Sequence, residues 1–169
     1  MAYNPEIHHR QSVRLKGYDY ASVGYYFITI CCVERMPLFG NIRNGQMCLN
    51  HHGLVAHQEW LNTIEKRKDL LLDEFVVMPN HMHAIVHIQQ NLTSTTPNTL
   101  QSPSNNLGAI VRGYKSAVTS QLKSTLGFSP WQRNYHEHII RNETAYQTIA
   151  QYIVNNPLTW QDDCFYTEC

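Results

Sequence analysis

The sequence is poor in charge. Charged residues fill only 15% of its 169 positions, and thirteen Lys+Arg balance thirteen Asp+Glu. An average soluble protein carries about 25% charged residues. A broadly cationic coat for nucleic acid and a highly charged disordered chain are therefore both excluded. No apolar run reaches membrane-spanning length, and the N-terminal MAYNPEIHHRQ lacks the apolar stretch of a signal peptide. A CxxC pair is absent, and the five cysteines, at positions 31, 32, 48, 164 and 169, make an odd number. This argues against a disulfide framework and a cysteine-ligated zinc, and a reduced, cytoplasmic setting is the expectation. There is no Gly-x-Ser-x-Gly elbow and no Gly-x4-Gly-Lys loop. Those absences leave no sign of an α/β-hydrolase nucleophile or of a phosphate loop for a nucleotide cofactor.

Histidine is what the chain has in excess, with ten residues. The length suits one domain, 1–169. Within it, Arg112, Lys115, Lys123, Arg133 and Arg141 outnumber Glu137 and Glu143 over residues 107–143, a balance of +3. Residues 144–169 carry −3, so the tail from 157 to 169 is acidic. An N-terminal arm, 1–20, groups Arg10, Arg14 and Lys16 near Tyr18 and Tyr20. Residues 89–106 are rich in Ser, Thr, Asn, Gln and Pro, carry no charge, and read as a flexible linker.

Hydrophobic periodicity predicts a buried strand over Tyr25–Val33 and a hairpin over Leu38–Leu49, turning at Asn44-Gly45. A helix over Asn50–Lys68 and strands over Leu71–Met78 and His81–Ile88 follow. Further on come a helix over Leu107–Leu126, a strand over Tyr135–Ile140 and a helix over Glu143–Asn155. The two strands joined at Pro79-Asn80 must be antiparallel. This order predicts an α+β fold with a ferredoxin-like antiparallel sheet and helices, the active site lying on its histidine-bearing face.

The sharpest motif is Pro79-Asn80-His81-Met82-His83-Ala84-Ile85-Val86-His87. On a strand His81, His83 and His87 share one face, and Met82, Ala84 and Val86 share the other. Two histidines at i, i+2 can put imidazole nitrogens on one divalent ion; the plainer reading is a polar, solvent-facing strand. Two protein ligands suit an open catalytic site rather than a closed structural zinc. Tyrosine is the abundant candidate nucleophile. Tyr114, beside Arg112 and Lys115, belongs to an apolar helical stripe with Leu107, Ile110, Val111, Val118 and Leu122, which by pattern alone marks a core residue. His136 and His138 alternate on the last strand and read as ordinary surface residues.

Five stretches together resemble the REP-associated tyrosine transposases, a branch of the single-tyrosine His-hydrophobe-His transposases. They are RxxxRLKGYDYxxxGYYFITIC, FVVMPNHMHAIV, GAIVRGYKS, WQRNYHEHIIRN and YIVNNP. The resemblance implies a metal-dependent endonuclease and strand transferase acting on single-stranded DNA hairpins, for transposition or recombination. It implies that His81 and His83 hold Mg²⁺ or Mn²⁺ and that Tyr114 forms a 5′-phosphotyrosine intermediate. In insertion-sequence relatives a glutamine one turn after the tyrosine supplies a third ligand; Val118 stands there, leaving Gln121 or His87 as substitutes. The N-terminal arm (Arg10, Arg14, Lys16, Tyr18 and Tyr20) would read bases beside the hairpin. Arg112, Lys115, Lys123 and Arg133 would grip its backbone. The chain would act as a monomer or homodimer, away from membranes. Two other readings stay open: a catalytically inactive hairpin-binding module, and a metal hydrolase using His81, His83 and His87.

Overall fold

The computed structural model describes residues 23–89 and 106–166. The N-terminal arm with Arg10, Arg14, Lys16, Tyr18 and Tyr20, residues 90–105 of the linker, and tail residues 167–169 lie outside them.

The first strand, β1 (Gly24–Cys31), alternates as its β-branched and aromatic sequence predicts. Tyr26, Ile28 and Ile30 are fully buried on one face, and Tyr25 and Phe27 pack on the other. A hairpin of β2 (Gly40–Arg43) and β3 (Gln46–Leu49) follows. Asn44 and Gly45 turn it with φ of 50° and 70°, the left-handed pair that a type I′ turn requires. Helix α1 (His51–Glu65) starts at Asn50, whose side chain accepts the Gly53 amide proton.

The strand expected over 71–78 is divided into β4 (Leu70–Leu71) and β5 (Phe75–Val77). Between them Asp73 turns out of the ladder and accepts a hydrogen bond from the Tyr146 hydroxyl at 2.8 Å. Both pieces pair with β6 (His81–Ile88). Helix α2 (Leu107–Leu126) runs from an Asn106 cap to Gly127, which closes it in the left-handed conformation at φ 73°. Then come β7 (His136–Ile140) and α3 (Glu143–Asn155), the helix capped by Asn142.

The main sheet runs β4/β5–β6–β1–β7 with every neighbour antiparallel, so the α+β ferredoxin-like expectation holds. In that order β1 and β5 are parallel across β6, and β6 and β7 are parallel across β1. Right-handed crossovers between them put α1 and α2 on the same face. The main core forms there: Met82, Ala84 and Val86 of β6 pack with Tyr26, Ile28, Trp60, Ile110 and Val118. Helix α3 covers the opposite face, where Ile85, Ile140 and Ile153 meet Tyr25, Phe27 and Val76. That second face carries the histidines. No helix among the described residues is long and apolar enough to cross a membrane.

Candidate active site

β6 is central enough to be covered on both faces, so its histidines are buried rather than solvated: His81 is 0% exposed and His83 1%. Their ring centroids stand 4.4 Å apart. The Nδ1 of His81 lies 2.9 Å from Asn80 Oδ1. An amide oxygen only accepts, so Nδ1 carries the proton and Nε2 keeps the lone pair. That Nε2 is buried and has no hydrogen-bond partner among the described residues. On His83, Nδ1 contacts Thr29 Oγ1 at 2.8 Å. Its Nε2 faces the Tyr152 hydroxyl at 3.2 Å.

Burial keeps both imidazoles neutral at ordinary pH. It lowers His83 to about 4. Burial and then the neighbouring His83 push His81 well below its usual value. Neutral, oriented imidazoles are the form that binds a cation.

The third member comes from the tail. After α3 the chain makes a short 3-10 turn at Trp160–Asp162, and Asp163 follows it. Ligand atoms of His81, His83 and Asp163 all lie within 4.8 Å of one another, a group able to hold a metal ion. Phe165 N–H donates to Asp163 Oδ1 at 2.8 Å. Asn156 Nδ2 and the Tyr152 hydroxyl donate to Oδ2 at 2.7 and 2.9 Å. Burial pushes this carboxyl up, but those three hydrogen bonds outweigh it and hold the group below the usual range, ionised. Two neutral imidazoles and a carboxylate are a donor set for a divalent ion, with coordination positions left for water or substrate. The unpartnered Nε2 of His81 fits that use, because an apolar role leaves a buried lone pair unpaid.

The tail is seated on the pair by aromatic contact. Phe165 lies 4.6 Å from the His81 ring and Trp160 5.8 Å from it. Asn80 Nδ2 donates to Phe165 O at 2.8 Å, and Arg35 Nη1 to Cys164 O at 3.2 Å.

Tyr114 is elsewhere. It is fully buried in the α1–α2 core, its hydroxyl donating to Ala56 O at 3.1 Å and its ring edge-on to Trp60. Burial drives its phenol well above the usual value. The expectation of Tyr114 as nucleophile is therefore corrected: the right-handed crossover carries α2 to the sheet face away from the histidines. The core stripe was the sounder signal. Tyr152, on α3, is the tyrosine the fold brings to the pair. It stands in the Tyr-Ile-Val-Asn-Asn-Pro stretch, with Asn156 one turn later on the same helix face.

The substitute third ligands are corrected as well. The Gln121 side chain donates to Glu59 between α1 and α2. His87 shares the histidine face but stands about 20 Å along the strand from His81, where it stacks on Tyr25 at 4.0 Å. A three-histidine centre with His81, His83 and His87 is thereby excluded. His136 and His138 are exposed on β7, in register with Thr29 and Phe27, at the uncovered margin of the same face.

Of the proposed backbone-gripping residues, Lys115, Lys123 and Arg133 line one groove of about 500 Å³ with Ser116, Thr119 and Ser120. Lys115 Nζ donates to Gln132 O and Asn134 O, both at 2.9 Å. Burial lowers it to about 8. Arg112 is exposed on α2 and does not line the groove. Gln132, whose carbonyl Lys115 reaches, donates its own N–H to Cys31 O at 2.9 Å, and Cys31 pairs with His81, so groove and histidine pair occupy the same end of the sheet.

No family model matches the chain. It is 45% identical to an uncharacterized protein of Haemophilus influenzae over 98% of each chain. Among solved structures, it resembles a REP-associated tyrosine transposase bound to a REP hairpin. That match has a TM-score of 0.62 and 21% identity, over 89% of this chain and 74% of the other. The chain thus belongs to one family with the Haemophilus influenzae protein, and its fold is that of a REP-associated tyrosine transposase.

Proposed function

We propose that this protein is a metal-dependent endonuclease and strand transferase of single-stranded DNA hairpins, with Tyr152 as its nucleophile. One observation carries the reading: the Tyr152 hydroxyl sits between His83 Nε2 and Asp163 Oδ2, at 3.2 and 2.9 Å. The fold's likeness to a transposase bound to a REP hairpin, and the His-hydrophobe-His strand, support the same choice.

His81, His83 and Asp163 would hold the ion. When bound, it supplies Lewis-acid stabilisation of charge on the phosphoryl oxygens. Two nitrogen donors favour Mn²⁺ over Mg²⁺, which prefers an all-oxygen shell. Tyr152 Oη attacks phosphorus, and the bond from phosphorus to the 3′ oxygen breaks. The product is a 5′-phosphotyrosine and a 3′-hydroxyl. Burial and the hydrogen bond to Asp163 raise the Tyr152 phenol, so it does not ionise by itself. Its proton is already aimed at Asp163, which accepts it during attack, and it ends on the departing 3′ oxygen. Attack by a second 3′-hydroxyl on the tyrosyl ester reverses the step and joins strands. Lys115, Lys123 and Arg133 hold hairpin phosphates in their groove.

The inactive-module reading rested on Val118 following Tyr114. With Tyr114 in the core and Asp163 completing the ligand set, that ground is gone. The test is denaturing electrophoresis after incubation with Mn²⁺ and a hairpin oligonucleotide bearing single-stranded flanks. Wild-type protein yields a covalent protein–DNA adduct, and Tyr152→Phe yields none. An adduct from Tyr152→Phe overturns the nucleophile; nicking without any adduct overturns covalent catalysis.

A further inference from the structure

A second cavity adjoins the histidine pair. It encloses about 490 Å³ between the β2–β3 hairpin and the 157–166 segment. Its walls include Pro79, Trp160 and Tyr166, and its lining also carries the side-chain amides of Asn41, Asn44 and Gln161. No charged side chain lines it. All three amide-bearing residues are exposed, so their donors and acceptors can meet a ligand.

This lining rejects a phosphate, which calls for cations, and rejects a metal, which calls for anionic or imidazole donors. It suits a flat, neutral ring with mixed donors and acceptors on its edge. Amides read such edges through paired hydrogen bonds, and tyrosine or tryptophan supplies a stacking surface. A nucleobase has that shape and that chemistry.

Position narrows the choice further. Trp160 lines the cavity and lies 5.8 Å from the His81 ring, and Pro79 lines it two residues before His81. The hairpin tip is held close to this wall, because a Cβ on Gly45 would come within 2.7 Å of Leu158 Cδ2. A strand with its phosphate at His81, His83 and Asp163 therefore carries the adjoining base to the cavity mouth.

We propose that this cavity is a subsite for one unpaired nucleobase next to the scissile phosphate, read by Asn41, Asn44 and Gln161 and stacked by Tyr166. The inference rests on the nuclease reading above and deepens it. It assigns base selectivity to a neutral wall of the fold, apart from any cationic groove.

The test is an abasic scan of binding. Hairpin oligonucleotides with a single-stranded flank, each lacking one flank base, are titrated by fluorescence anisotropy in EDTA against the full chain. One position should weaken wild-type binding about tenfold, the scale of one stacked base. Asn41→Ala with Gln161→Ala, and separately Tyr166→Ala, should weaken binding to the intact flank by a similar factor. They should have no further effect when that one base is missing. All three residues are exposed, so unchanged urea midpoints show that the variants fold. Variants that bind like wild type, or that lose affinity equally with every abasic oligonucleotide, overturn the subsite. Because no metal or cleavage is involved, a chain that never forms the tyrosyl adduct refutes the nuclease reading while the scan still decides the subsite. Failure to bind any hairpin overturns both.

Discussion

Tyr152 and His83, 69 positions apart in the chain, meet with hydroxyl and Nε2 separated by 3.2 Å. The contact is made by the C-terminal helix, not by helix α2, whose single tyrosine, Tyr114, the family resemblance pointed to. It defines two tyrosines with opposite fates under the same substitution. Tyr152→Phe should abolish adduct formation and leave the urea midpoint close to wild type. Tyr114→Phe should keep the adduct and lower stability by about 1 kcal/mol, through loss of the buried hydrogen bond to Ala56 O. Adduct gels and urea denaturation of both variants, read side by side, check the pair. The reverse pattern would return the nucleophile to α2.

Asn80 orients His81 through the 2.9 Å contact to Nδ1 and ties the tail through Phe165 O. Removing it frees the imidazole to turn and to change tautomer. Asn80→Ala should weaken Mn²⁺ binding by about 10–100-fold, the range typical for such supporting partners. Titration calorimetry against wild type measures it, and an unchanged affinity would deny Asn80 that role.

The metal-free protein should lose stability in mild acid. Burial holds His83 at about 4 in the folded chain, against about 6.5 when unfolded. Between those values the unfolded chain binds a proton that the folded chain does not, so stability rises with pH across that window. It is complete above about pH 6.5 and declines as pH falls toward 4, by on the order of 3 kcal/mol for this group. Urea midpoints in EDTA across the window should follow that slope. Replacing both His81 and His83 by Gln should flatten it. A flat wild-type profile would contradict the burial argument.

Lys115 gives the groove a charge that fades in mild alkali, since burial lowers its ammonium to about 8. Between about pH 7 and about pH 9 wild-type affinity for hairpin DNA should fall several-fold. The dependence of log affinity on log salt should become shallower by about one phosphate contact. Lys115→Arg keeps its charge over that range and should keep the slope. A wild-type slope that does not change with pH would remove Lys115 from the backbone contacts.

Much of the architecture was legible in the sequence because its signals are local. Asn44-Gly45 dictates a type I′ hairpin, Asn50, Asn106 and Asn142 cap their helices, and Gly127 ends α2. Alternation along His81–Ile88 assigned the histidines to one face without any tertiary information. The division of the edge strand was not legible, since Leu70–Val77 is apolar enough to read as one run.

The site itself divides along the same line. By itself the sequence determined a strand with two histidines facing one way, because side-chain direction on a strand follows from backbone geometry alone. Which tyrosine meets them was decided only by the tertiary structure. Helices α2 and α3 both carry an apolar stripe and a tyrosine, and a stripe says that a helix packs but not on which side. Crossover handedness sends Tyr114 to one face, and α3 returns Tyr152 to the other. Asp163 lies in a polar, acidic stretch that no periodicity marks, and it becomes part of the site only when Trp160 and Phe165 seat the tail on His81. A ligand set assembled from strand and tail depends on long-range packing, which local pattern does not encode.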